Sequence, residues 1–179
     1  MGHLSAAALL DRVHHSMDPV IVRRVLTLVD TEGVDIIAQL WSDCEPDSLP
    51  GILWRLYLLR SWVRKDGERI ATLWNAGEPR ATAASAITGI DQTPSAGDIA
   101  RTADSILSGA FTGDFAVALD RAASFTEVIA TGLRMDASRN HPDDDPDGKA
   151  RLLHTSSNLR TTSSTFRRGA SLWRRGRLE

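Results

Sequence analysis

Residues 147–175 read DGKARLLHTSSNLRTTSSTFRRGASLWRR, and the spacing within this stretch decides the fold class. Leu152, Leu159, Phe166 and Trp173 recur at intervals of seven, with Ser156, Ser163 and Ala170 between them, so the steps alternate four and three. That is a heptad seam of alternating large and small residues, about 33 Å long if helical at ~1.5 Å per residue. Large residues enter a facing groove while Ser and Ala let two backbones approach, the geometry of two long helices lying side by side. A seam this narrow does not suit a helix buried on several sides.

Intrinsic propensity opposes the pattern. Thr155–Asn158 and Thr161–Thr165 are runs of middling helix formers, so the segment should be helical only when docked. The expected dock is its own body, then a second copy, then another partner. Arg160, Arg167 and Arg174 repeat at the same interval beside the seam, and Arg168 and Arg175 adjoin them. A basic row flanking an apolar seam pairs with acidic residues on a facing helix. Leu152, Leu159, Phe166 and Trp173 are therefore the candidate partner-binding seam, and the five arginines the candidate partner- or polyanion-binding set.

Outward from this helix, the charge is uneven. The formal charge of -2 divides into -9 over residues 1–148 and +7 over residues 149–179. The preferred division is an acidic helical body (1–135), an acidic linker (136–146) and a basic C-terminal helix (147–179) that docks on the body or a partner, all within one domain. Apolar spacings of three and four recur through the body without sustained alternation, so the expected class is all-α, an irregular bundle of seven or eight helices. The expected helices are 4–16, 19–29, 32–43, 49–65, 67–76, 96–109, 113–134 and 147–175. Asp18-Pro19 is a strong start signal; Thr31, Ser48, Asp66 and Ser95 are further caps, and Ser95 with Asp98 resembles a capping box. Gly77 followed by Pro79 is a stop. Residues 80–94 read as a long connection with one helical turn near 83–87.

Helix 49–65 is apolar on most of its circumference and is expected at the centre. It carries Trp54, Tyr57 and Trp62, and Trp74 follows on the next helix; these four could line a pocket, although core packing is the preferred reading. Arg55, Arg60 and Arg64 interrupt the helix and are expected to pair with carboxylates or to extend along the surface.

Motifs for chemistry are weak. Asp143, Asp145, Asp147 and Gly148 match the first half of a calcium loop, but the twelfth position, which needs a bidentate carboxylate, is His154. The preferred reading is that Asp145 caps and Pro146 opens the last helix. His14 and His15 are adjacent and point about 100° apart on a helix, so they cannot share a metal. No phosphate-binding glycine loop, dinucleotide fingerprint or nucleophile elbow occurs. No metal and no cofactor is expected. Cys44 is the single cysteine, which rules out an intrachain disulfide and suits a reducing cytoplasm. No apolar run reaches membrane-span length. Arg outnumbers Lys 19 to 2, a bias matching a high-GC bacterial genome.

The resulting expectation is a cytoplasmic, non-enzymatic binding or assembly protein that forms a homodimer, or binds another protein, through its C-terminal helix. The second reading is a nucleic-acid-associated protein in which the arginines meet phosphates and Trp173 stacks on a base. The third is an enzyme with a tryptophan-lined pocket.

Overall fold

A computed structural model of the chain describes residues 6–7, 41–90, 93–139 and 145–178. These form six α-helices and a short 3-10 turn, and no strand occurs among the described residues. The helices are α1 (Leu49–Lys65), α2 (Gly67–Gly77), α3 (Thr82–Thr88), α4 (Ala96–Thr112), α5 (Phe115–Arg139) and α6 (Pro146–Arg174). The expected helices at 4–16, apart from the helical residues 6–7, and at 19–29, with nearly all of 32–43, lie outside the described residues, as do Asp18-Pro19, Thr31, His14, His15 and Asp143. No described helix is long and apolar enough to cross a membrane.

Most boundaries follow the local chemistry. Ser48 Oγ accepts from the Gly51 amide, and Pro50 sits in the first turn of α1, where its missing N–H costs nothing. Ser95 and Asp98 form a reciprocal capping box on α4, and those hydrogen bonds from the Ser95 hydroxyl and amide hold the Asp98 carboxyl below its ordinary range. Asp145 caps α6 through the Gly148 amide, with Pro146 in the first turn. Gly77 ends α2, and Glu78–Arg80 continue as the 3-10 turn around Pro79.

Three expectations change. Asp66 stands at the α1–α2 elbow but its side chain makes no capping bond; its amide instead closes α1 on Trp62 O. The helix expected at 113–134 begins at Phe115, where Asp114 Oδ1 accepts from the amides of Ala116 and Val117. It continues to Arg139, so the linker expected at 136–146 begins inside a helix. Nothing in residues 135–139 breaks the periodicity; the acidic residue taken as linker, Asp136, instead meets Arg69 of α2 across 3.4 Å.

Among the described elements the hub is α5 rather than α1. It touches α2, α3, α4 and α6, and α1 packs on α4, α6 and α2. The reason is side-chain size: buried Ala116, Ala118, Ala122, Ala123, Ala130 and Ala137 line α5 and let neighbours approach from several sides. Phe115, Phe125, Ile129 and Leu133 fill the spaces between.

Candidate functional site

The seam of α6 is packed against the chain's own body. Phe166 and Ala170 are fully buried, and Leu152, Leu159 and Trp173 lie partly buried on the same core. The Trp173 ring meets Phe115 edge-on at 4.8 Å between centroids. The small residues of the seam do more than leave space. Ser156 Oγ donates to Ala130 O at 2.7 Å and Ser163 Oγ to Ala123 O at 2.8 Å. Each buried hydroxyl is thereby satisfied.

These bonds fix the register. A step of seven along α6, from Ser156 to Ser163, is matched by a step of seven back along α5, from Ala130 to Ala123, so the two helices run antiparallel with a common heptad. The arginine row obeys the same rule: Arg167 faces Glu127 at 3.4 Å, and Arg174 faces Asp120. The hydrogen bond to Asp120 holds the Arg174 guanidinium above its ordinary value. Of the adjoining pair, Arg168 reaches Asp47 at 3.1 Å and Arg175 bonds to the Ser171 hydroxyl.

One more heptad step brings Arg160 opposite Arg134 of α5. Among the described residues no carboxylate stands at this rung. The two guanidiniums instead line an open groove of about 410 Å³, together with Leu153, Ser157, Thr161, Ser164 and the already bonded Ser156. Arg134 is the functional candidate that the sequence reading missed: it lies 26 residues from Arg160, and only the antiparallel register makes them neighbours.

The four aromatic residues taken as a possible pocket are not brought together around a described cavity. Tyr57 lies between Trp41 and Phe111, with centroids at 6.2 and 6.4 Å, whereas Trp74 lies on Phe125 at 5.5 Å. Trp54 and Trp62 pack on the margin of the core. Among the described residues the buried Tyr57 hydroxyl and Trp74 Nε1 find no hydrogen-bond partner, and burial pushes the tyrosine phenol upward, only partly opposed by Arg60. Arg60 and Arg64 do pair with a carboxylate as expected: Arg60 Nε donates to Asp104 at 2.6 Å, and Arg64 meets the same carboxylate at 3.5 Å. Arg55 donates to Gly51 O.

A second groove, of about 470 Å³, lies at the α1–α2 elbow beside the start of α4. Its charges are mixed, with Asp66 and Glu68 beside Arg64, Lys65 and Arg69. Among the described residues no three His, Cys, Asp or Glu side chains converge as a metal site. His154 is exposed and contacts Asn158 on its own helix.

The chain matches no protein-family model, no curated protein and no solved structure.

Proposed function

We propose that the chain is a non-enzymatic helical binding protein in which α6 closes the fold with one face and presents its remaining basic face to an acidic partner. The observation that carries this reading is the division of labour on α6. Its seam is spent on the chain's own core through Phe166 and the Ser156 and Ser163 hydroxyls, while Arg160 and Arg134 across the groove have no acidic counterpart among the described residues. Self-association through the seam then requires α6 to leave its own body and occupy the same place on a second copy, an exchange dimer. A nucleic-acid role draws less support, because Trp173 is engaged by Phe115 and three of the five arginines already face carboxylates.

Retention of the full chain on immobilised polyglutamate and on immobilised duplex DNA, at low salt and pH 7.5, tests the reading. The net charge is -2 and the pI about 6.2, so bulk charge opposes retention on either polyanion. Polyglutamate retention that fades as salt rises and is lost in Arg134→Gln/Arg160→Gln is the expected result. Passage of the unaltered chain through both columns overturns it, and preferential retention on DNA replaces it with the nucleic-acid role. Light scattering adds the mass: one chain is expected, and a stable two-chain mass would return α6 to an intermolecular role.

A further inference from the structure

We infer that the groove between α5 and α6 is a binding site for a phosphate monoester, gripped between Arg134 and Arg160. The inference rests on the binding reading above and names the ligand chemistry of that face. Four observations lead to it.

First, the site stands where the interface departs from its own rule. Two successive rungs pair an α6 arginine with an α5 acid, Arg174 with Asp120 and Arg167 with Glu127. The next rung sets arginine against arginine. Both arginines are exposed on one groove, and an anion entering it meets two positive charges at once. Second, among the described residues the groove lining contains no carboxylate to compete with a ligand. Two guanidiniums offer two positive charges, which a phosphate monoester carrying close to two negative charges at neutral pH matches and a single carboxylate does not.

Third, the hydroxyls are arranged as donors. Ser157, Thr161 and Ser164 follow one another on the groove side of α6 at steps of four and three, with Arg160 beside them. The Thr161 hydroxyl is committed to the Ser157 carbonyl at 3.2 Å. Those of Ser157 and Ser164 retain their hydrogens for an oxyanion, adding to the forked N–H donors of each arginine. Fourth, the groove is larger than a bare tetrahedral ion, and the Leu153 side chain opens on it, 43% exposed. That apolar surface suits the organic group of an ester. The rigid frame also matters. Arg160 lies between Ser156 and Ser163, both pinned to the α5 backbone, so the helix positions of the two arginines are fixed before any ligand arrives.

The test follows the Arg Nε–Hε resonances of the full chain by NMR during titration with phenyl phosphate, inorganic phosphate and benzoate. Saturable shifts confined to Arg134 and Arg160 are expected, with phenyl phosphate binding several-fold more tightly than inorganic phosphate and benzoate scarcely binding. Arg134→Gln should weaken phenyl phosphate at least about tenfold, by removing one charge-assisted fork. Arg134→Lys should fall between, keeping the charge without the fork. Arg175→Gln, away from the groove, should leave binding unchanged. Linear shifts spread over all exposed arginines, or undiminished binding by Arg134→Gln, would overturn the site. Inorganic phosphate binding as tightly as phenyl phosphate would overturn the ester and leave a free-phosphate site. Polyglutamate retention without saturable phosphate binding sinks this inference and leaves the broader binding reading in place.

Discussion

Helix α5 is held from two sides by opposite means. Toward α6 the small seam residues Ser156, Ser163 and Ala170 let the backbones approach across side chains, and the contact is a ladder of serine hydroxyls on carbonyls, arginines on carboxylates, and the Phe166 and Trp173 rings. Toward α2 the backbones meet with nothing between them. A Cβ added at Gly132 would lie 1.9 Å from Leu73 O, and one added at Gly77 would lie 2.2 Å from Val128 O. The difference teaches where the fold can absorb change. On the α6 side a rung can be altered and its neighbours turn; on the α2 side the obstacle is main chain, which cannot rotate away.

The largest effect expected comes from the forgiving side, at its one bulky anchor. Phe166→Ala removes a fully buried ring where α6 meets the core and should cost about 3–5 kcal/mol in denaturant-induced unfolding. A loss below ~1 kcal/mol would mean that α6 is held by its polar rungs alone. Next comes the glycine crossing. Gly132→Ala adds a single methyl, yet it should cost about 3 kcal/mol, because α2 and α5 must separate to admit it. Stability within ~0.5 kcal/mol of the parent would break the comparison by showing that the two helices slide freely.

The serines separate the two sides more finely. Ser156→Ala and Ser163→Ala should each cost about 1 kcal/mol. The carbonyls they leave still accept within α5, so no buried group is fully orphaned. The two sites are about 10 Å apart along α6, so the double variant should lose the sum within ~0.5 kcal/mol. A markedly larger loss would show that the ladder acts as one unit.

The sequence made one side of this comparison legible and hid the other. A heptad seam is written in residue types, large at one position and small at the next, so the length of α6 and its need for a facing helix could be read directly. The Ala-rich stretch of α5 reveals a helix but not a hub, since small residues permit approach from any direction and specify none. Gly77 reads as a stop signal, and it is one, but its second role against Gly132 leaves no trace because a close crossing requires the absence of side chains. The capping chemistry at Ser95 was visible because it is local. The Arg134–Arg160 pairing was not, since it depends on which way α5 and α6 run and on a register set by bonds at Ala123 and Ala130. The aromatic crowding in 54–74 was read first as core packing, and Tyr57 and Trp74 do lie in the core; which rings they would meet was not legible, since their ring partners belong to different helices.

The smallest expected change is also the sharpest. If the rung between Arg160 and Arg134 is left open for a ligand, then closing it from within should improve the fold while ending its binding. Arg134→Glu supplies the carboxylate that the other two rungs possess and removes a like-charge opposition. At an exposed position the gain should be about 0.3–0.5 kcal/mol, and it should shrink as salt is raised. Phenyl phosphate binding should disappear in the same variant. Swapping the charge on the other helix, Arg160→Glu, should reproduce both effects, because the register makes the two positions equivalent. Combining the substitutions should restore a like-charge rung of opposite sign, with the stability gain lost and phosphate still rejected. A single Arg134→Glu change that destabilises the protein would show that the heptad does not extend to this rung, and the groove would then lose the geometric basis on which its ligand was assigned.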